Sequence, residues 1–326
     1  GEQILERALD VLLQELFHLT LVTLQPGVEQ RLMLEMSASI GLVWQDDQRY
    51  VLDKMGHFLL NDRMTRVNMD FVADVCFESM GRLTDSIVHN SPKGLEHFGD
   101  WPTLYRGLTR LPEPARTSWF AFDHFYSAQA WNAALAIVFA ERREHIVDIG
   151  GNAGSWAVAC AARDPEVRVS IIDLPEQISL AENELRMSPY RDRITLRAAD
   201  LLSSEASLPN DADVFWMSQF LDCFSAEQIL DVLRNVTRAM RADASLFVLE
   251  LFCDRQRHNA AAYSLNATSL YFTCIANGAS RMYRATDMLE LLERAGLQVE
   301  AQYDQLGVGH TLVHCTKSRS LSRDSG

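Results

Sequence analysis

Three aspartates and a glycine turn carry the first chemistry that can be read from the chain. Asp148 comes just before Gly150-Gly151-Asn152-Ala153-Gly154, Asp173 is followed by Leu174 and Pro175, and Asp200 by Leu201 and Leu202. Each acid closes, or nearly closes, a short apolar run, so three successive strand ends bring carboxylates to one sheet edge. Glycine in the turn permits positive φ and lets the backbone approach a ligand. A helical run from about Ser155 to Arg163 offers its N-terminus to the same place. Asp173 stands nineteen residues after Gly154, where a carboxylate accepts both hydroxyls of a ribose. The spacing is GG-x-x-G, not the G-x-G-x-x-G of dinucleotide sites, and Asp148 is an acid that fingerprint does not ask for. A pyrophosphate favours a positive helix end with no carboxylates beside it. A cationic, phosphate-free nucleoside tolerates them. S-adenosyl-L-methionine has that chemistry, with ribose, adenine, an amino group and a sulfonium, and Asp200 is placed to reach its adenine edge. An NAD-dependent oxidoreductase on a similar sheet is the competing reading, and its marker motif is missing.

These residues need an open α/β sheet to position them. Strands are expected at His145–Ile149, Val167–Asp173, Ile194–Asp200, Asp213–Phe220 and Ser245–Phe252, with Ser218 and Gln219 lining the cofactor near the end of the fourth. Ser225-Ala226-Glu227-Gln228 reads as a capping box that opens the next helix. A helix from Ser264 to Ala276 and another within Arg281–Ala295, stopping at Gly296, precede two last strands, Leu297–Gln305 and Gly309–Cys315. The N-terminal part begins with apolar residues at helical spacing over 3–18. A second helix at about Val28–Ser39 and a hairpin around Gln45–Gln48 follow. Residues 67–90 read as one longer helix, and Trp119–Phe139 as a helix or helix pair. A domain border is expected near residue 112, and the Ser- and Arg-rich tail, 318–326, is expected to be disordered.

Composition narrows the function classes. The 326 residues allow two domains with ample core. Thirty basic against 44 acidic residues give a net charge of −14, which argues against a nucleic-acid partner. No apolar run approaches the roughly 20 residues of a membrane span, and no signal peptide is visible, so a cytoplasmic protein is expected. The six cysteines are scattered without a C-x-x-C pair and read as reduced thiols, with no metal site.

The stretch from about Phe122 to Cys315 resembles the S-adenosylmethionine-dependent small-molecule O-methyltransferases, which include plant phenolic and bacterial polyketide enzymes. The resemblance extends to the N-terminal part. It implies a Rossmann-like, seven-stranded methyltransferase sheet over 113–317, whose antiparallel seventh strand Rossmann dehydrogenases lack. It also implies a winged-helix-like N-terminal domain over 1–112 that makes a homodimer. The cofactor would leave as S-adenosyl-L-homocysteine, and the acceptor would be a small aromatic or polyketide-like molecule of secondary metabolism. Phe122, Tyr126 and Ser127 fall on the family's F-x-x-x-M-S stretch, which contacts the methionine end of the cofactor, although Tyr126 replaces the methionine. The family's basic histidine lies in a Leu-His-Asp-Trp segment before a Ser-x-x-Glu cap. Here that segment reads Leu221-Asp222-Cys223-Phe224-Ser225-Ala226-Glu227. Asp222 thus stands at the histidine position, and Phe224 takes over the tryptophan's contact with adenine. Three readings stay open: Asp222 is the base, no base operates because the acceptor is acidic, or methylation of oxygen has been lost and the chain binds the cofactor for another role. A carboxylate with a pKa of about 3.9 is a poor base unless burial raises it. His124 is the fallback base, ahead of His258 and His310.

Overall fold

A computed structural model describes residues 28–47, 49–203 and 206–318. The helix expected over 3–18, and all of the tail beyond Ser318, lie outside the described residues. By packing, the chain divides into two units that meet between Val75 and Cys76.

The first unit runs from α1 (Val28–Ser39) into a two-stranded antiparallel ribbon, β1 (Val43–Asp46) and β2 (Arg49–Leu52), then α2 (Lys54–Asn61) and α3 (Arg63–Phe71). Both α1 and the hairpin sit where the sequence predicts them. Two aspartates start the later helices: Asp53 accepts the Lys54 N–H at 2.7 Å, and Asp62 accepts the Thr65 N–H at 2.8 Å. Leu34, Val43 and Leu60 form a small core. Leu32, Met36 and Ile40, spaced one helical turn apart, stay 57, 68 and 66% exposed.

The single helix expected over 67–90 is interrupted. After α3, Val72–Cys76 forms a π-turn, Ser79–Arg82 a tight turn, and only then does α4 (Leu83–His89) begin. A π-turn inserts one residue and rotates the face that follows. Within the second unit the Cys274 thiol donates to the Ser79 carbonyl at 3.4 Å. The Ser86 hydroxyl donates to the same sulfur at 3.6 Å. The apolar spacing of a helix looks the same whether one turn is wide or not, so the sequence does not signal the break.

The second unit continues with α5 (Ala115–Val138), one 24-residue helix, and enters the sheet. Its order in sequence is β3 (His145–Ile149), α6 (Ser155–Arg163), β4 (Arg168–Asp173), α7 (Pro175–Leu185), β5 (Ile194–Ala198), β6 (Val214–Ser218), α8 (Ala226–Ala239), β7 (Ser245–Glu250), α9 (Asn259–Tyr271), α10 (Ala285–Arg294), β8 (Leu297–Leu306) and β9 (His310–Lys317). In space the seven strands lie β5-β4-β3-β6-β7-β9-β8. The first five are parallel, and β9 inserts antiparallel between β7 and β8, as the family resemblance implies. Helix α9 starts earlier than expected and gives way to a second π-turn at Phe272–Ala276.

Alternation along the buried strands sends side chains to two cores. Val147, Phe215 and Val248 pack with Leu233 and Val236 of α8 and Met288 and Leu292 of α10. Ile146, Trp216 and Phe247 pack with Ala130 and Ala134 of α5 and Trp156 of α6, where Trp156 stacks on Trp216 at 3.9 Å. Each fully buried large apolar side chain contributes about 1.5–3 kcal/mol. With both faces sealed, polar chemistry is confined to the strand ends.

Candidate active site

The strand ends gather the predicted polar residues. Gly150 leaves β3 with φ +73°, and a Cβ there would collide with the Phe220 ring. At Gly151 a Cβ would stand 2.6 Å from Asp148 Oδ2. At Gly150 the left-handed backbone itself favours glycine, and at Gly151 a side chain would displace the Asp148 carboxylate. Asp173 is fixed by two amides: the Asn152 N–H donates to Oδ2 at 2.9 Å and the Leu174 N–H to Oδ1 at 2.7 Å. A carboxylate has about four acceptor positions, so two remain for paired hydroxyls. Burial pushes Asp173 up to about 6, against those amides.

Asp148 is buried, and its Oδ2 has no hydrogen-bond partner. Burial, with the Asp173 charge second, pushes it up to about 8. Asn152 Oδ1 and Ser218 Oγ are likewise buried without hydrogen-bond partners. A buried polar atom without a partner costs about 1–3 kcal/mol, so this set is built for a polar ligand. Orphaned acceptors, a glycine cradle and a ribose-ready carboxylate together fit S-adenosyl-L-methionine. Gln219 turns with φ +47°, and its Oε1 faces His310 Nε2 at 3.0 Å. Burial holds His310 down to about 4, so it is neutral and serves as the partner of Gln219.

Asp200 lies two residues past β5. Its Oδ1 accepts the Leu202 N–H at 3.0 Å, and its Oδ2 pairs with Arg106, which also reaches Glu176 at 4.0 Å. Leu174 and Leu201 are half-buried beside their aspartates. Phe224 packs edge-on against Phe220 at 4.9 Å, and Phe220 in turn covers Gly150. On α5, Tyr126 leans on Phe122 at 4.9 Å, and the Ser127 hydroxyl donates to the Asp123 carbonyl at 3.1 Å.

Asp222 sits in a single 3-10 turn, Leu221–Cys223, beyond β6. Glu250, at the end of β7, ties that turn down by accepting the Phe220 N–H at 3.0 Å and the Leu221 N–H at 2.8 Å. Burial first, and the Asp222 charge second, hold Glu250 well above the usual carboxylate range. Asp222 is 8% exposed. Burial pushes it up to about 6, with the Cys223 thiol, 3.4 Å from Oδ1, opposing. Burial also drives the Cys223 thiol well up, which disfavours a thiolate nucleophile. The Ser225 hydroxyl accepts the Gln228 N–H at 3.3 Å while Gln228 Oε1 accepts the Ser225 N–H at 3.0 Å, so the predicted capping box is formed.

The charges of this turn act on their surroundings: Asp222 and Cys223 on Tyr105, Asp222 on Asp123, and Cys223, with Asp123, on Tyr271. Trp119 Nε1 donates to the Tyr271 hydroxyl at 2.8 Å. Asp123, one turn further along α5, keeps some accessible surface but lies deep enough that burial, with the Asp222 charge second, pushes it up to about 7. His124, the fallback base, is exposed and stands edge-on to Trp131 at 5.6 Å. Helix α5 therefore turns Asp123 inward and His124 outward. His258 is exposed just before α9. Sequence reasoning missed Asp123, Tyr105, Arg106, Phe220 and Glu250. Two had signals: Glu250 is the one acid in the apolar run 245–252, and Asp123 lies four residues after Trp119.

Comparison with known proteins bears on this arrangement. The model of a family described as an O-methyltransferase domain matches residues 128–298. An L-tyrosine C(3)-methyltransferase of Streptomyces lavendulae is 22% identical over 82% of this chain and 73% of its own length. A 3-amino-4-hydroxybenzoate 4-O-methyltransferase of Streptomyces cremeus is 28% identical over 48% of this chain and 41% of its own. Two other curated relatives are matched over 51% and 57% of their lengths, so the chain spans about half of several of them. The solved structure of PigF with SAH superposes with TM-score 0.70 at 20% identity, covering 90% of this chain and 86% of that one. NcsB1, in complex with S-adenosylmethionine and 2-hydroxy-5-methyl naphthoic acid, gives TM-score 0.67 at 18% identity, covering 87% and 83%.

Proposed function

The chain belongs to the O-methyltransferase family, and on that premise we propose that it methylates a hydroxyl of a small aromatic or polyketide-like molecule, with S-adenosyl-L-methionine as donor. The observation that carries this reading is the partnerless Oδ2 of Asp148 beside a turn in which Gly150 and Gly154 take positive φ. When bound, the cofactor supplies a methyl group on a cationic sulfur. Asp148 would hold its amino group, Asp173 its ribose and Asp200 its adenine edge, while Phe220 and Phe224 exclude water from one side. Gly150, Asn152, Leu174, Leu201, Ser218, Gln219, Tyr126 and Ser127 complete the contact set. Asp222 would take the acceptor's hydroxyl proton. Its burial answers the objection that an ordinary carboxylate is too weak a base, because the ideal base titrates near the working pH. An aromatic acceptor is supported by the relatives, whose names specify tyrosine and an aminohydroxybenzoate.

We assign cofactor binding to 113–317 and pairing of two copies to 1–112, with the winged-helix likeness resting on the order helix, ribbon, helix in the first unit. Among the described residues no helix is long and apolar enough to cross a membrane. We keep a cytoplasmic site of action as part of the proposal. Calorimetric titration with S-adenosyl-L-homocysteine, followed by mass detection of methylated product across a panel of phenols and hydroxyquinones, tests the reading. Tight binding with one methylated product is expected. Failure to bind at tens of micromolar rejects it, and binding without product returns the chain to a cofactor-binding, non-methylating role.

A further inference from the structure

We propose that Arg106 is a positioning residue for the adenine end of the cofactor: by bridging Asp200 and Glu176 it fixes the carboxylate that reads the base and sets a preference for a 6-amino over a 6-oxo purine. This rests on the methyl-transfer reading and adds to it a residue that lies outside the motif positions identified in the sequence.

The bridge joins the ends of two neighbouring strands. Asp200 lies just past β5, and Glu176 lies in the first turn of α7, which follows β4. Arg106 belongs to neither: it stands in the helical turn Leu104–Gly107, ahead of α5. Its Nη2 donates to Asp200 Oδ2. Its Nη1 lies 4.0 Å from Glu176 Oε2, an atom that is buried without a hydrogen-bond partner. The planar fork of a guanidinium suits this task, since it turns two nitrogens toward two separate acids at once. The backbone behind it is held as well. The Gln177 side chain donates to the Tyr105 carbonyl at 3.3 Å, and Arg110 Nη2 donates to the Arg106 carbonyl at 2.9 Å. Leu104 and Leu108, on either side, are buried. The Arg106 and Asp200 side chains keep 33 and 36% of their surface exposed. An ion pair that open contributes little to the stability of the fold, so its place at the strand ends points to a role in binding.

Asp200 is pinned at both oxygens, Oδ1 by the Leu202 N–H at 3.0 Å and Oδ2 by Arg106. Each oxygen keeps a lone pair, and a carboxylate can only accept. Adenine carries an amino donor at position 6, where hypoxanthine carries a carbonyl oxygen. A pinned carboxylate accepts from the first and repels the second, because its oxygens cannot rotate away. Without the arginine the group is held at one oxygen only, swings toward solvent and yields to either base. Discrimination of this kind comes from the clamp as much as from the acid.

The whole 326-residue chain is titrated calorimetrically, as wild type and Arg106→Met, with S-adenosyl-L-homocysteine and with its 6-oxo counterpart, S-inosyl-L-homocysteine. The wild type should prefer the 6-amino compound by roughly 10- to 100-fold, the span of one hydrogen bond to a charged group. Arg106→Met should cut that preference by roughly five-fold or more, chiefly through weaker binding of the 6-amino compound. An unchanged ratio, with both compounds weakened alike, marks a merely structural contact and overturns the proposal. Tighter binding of S-adenosyl-L-homocysteine to the variant overturns it too, because the guanidinium would then compete with the base. A wild type that binds both compounds equally has the same force. Should Arg106→Met not fold, Arg106→Lys, which keeps a charge and loses the bridge, takes its place with a smaller fall expected, and an unchanged ratio again overturns the role. A wild type that binds neither compound rejects the methyl-transfer reading itself, whereas binding with an unaltered ratio strikes only Arg106.

Discussion

Cofactor affinity turns on Asp148. Its Oδ2 is buried without a partner, and the group sits at about 8 before anything binds. A ligand ammonium beside it favours the ionised form, so binding must draw off a proton below that value. Affinity for S-adenosyl-L-homocysteine should therefore strengthen as pH rises from 6 to 8. Asp148→Asn should weaken binding by about 10- to 100-fold, in line with roughly 1–3 kcal/mol for a lost charged partner, and flatten the pH dependence. Calorimetry at several pH values reads both effects. This residue was legible because its partners are local: a strand, an acid and a glycine turn within ten residues. Arg106 was not, because its partner Asp200 lies 94 residues away and an arginine in a loop carries no periodic signal. Asp123 was hidden for a related reason. It lies inside a helix whose apolar pattern accounts for its neighbours, and only the fold reveals that it is turned inward.

Elements whose signals are short-range came through well. The helix at 28–39, the hairpin, the glycine corner and the cap at Ser225 are all found where expected. Elements that depend on accommodation did not: π-turns end two helices, at Val72–Cys76 and Phe272–Ala276, and the second holds Cys274, which donates to the Ser79 carbonyl 195 residues away in sequence. The cap has a functional edge because α8 follows directly on the turn that carries Asp222. Ser225→Ala should cost about 1 kcal/mol and lower Tm by about 2–4 °C in a thermal melt. If the cap also steadies Asp222, the same variant should show a faster-exchanging amide at Leu221. The polar strand ends illustrate a division of labour between elements. Strands bury their flanks and so fix Asp148 and Asp173 in depth, while the turns that follow aim backbone N–H groups of Asn152 and Leu174 at Asp173.

At the scale of the molecule two expectations follow. Leu32 and Met36 on α1 and Ile40 just past its end form an exposed apolar row, the kind of surface that pairs copies. Met36→Glu should convert a dimer to a monomer in light scattering, and a wild type already monomeric would end that assignment. The second concerns pH. A carboxyl whose folded pKa lies above its unfolded value, about 3.9, stabilises the fold at low pH, and that contribution is lost as pH rises through the folded value. Asp148 at about 8 and Asp123 at about 7 both belong to this class. His310, depressed to about 4, works in the opposite direction, and its contribution is complete above about 6.5. Ligand-free protein should thus lose several degrees of Tm between pH 6.5 and 8, and added S-adenosyl-L-homocysteine should restore them. The strand order carries one more consequence. β9 comes last in the chain but is sixth in the sheet, and it brings His310 to Gln219 and His314 to Ser245. A ribosome must therefore release nearly all of the domain before the β7 rim can be zipped shut. A nascent chain halted ahead of Thr311 would display that rim as a sticky ledge, inviting chaperone capture until the closing strand arrives.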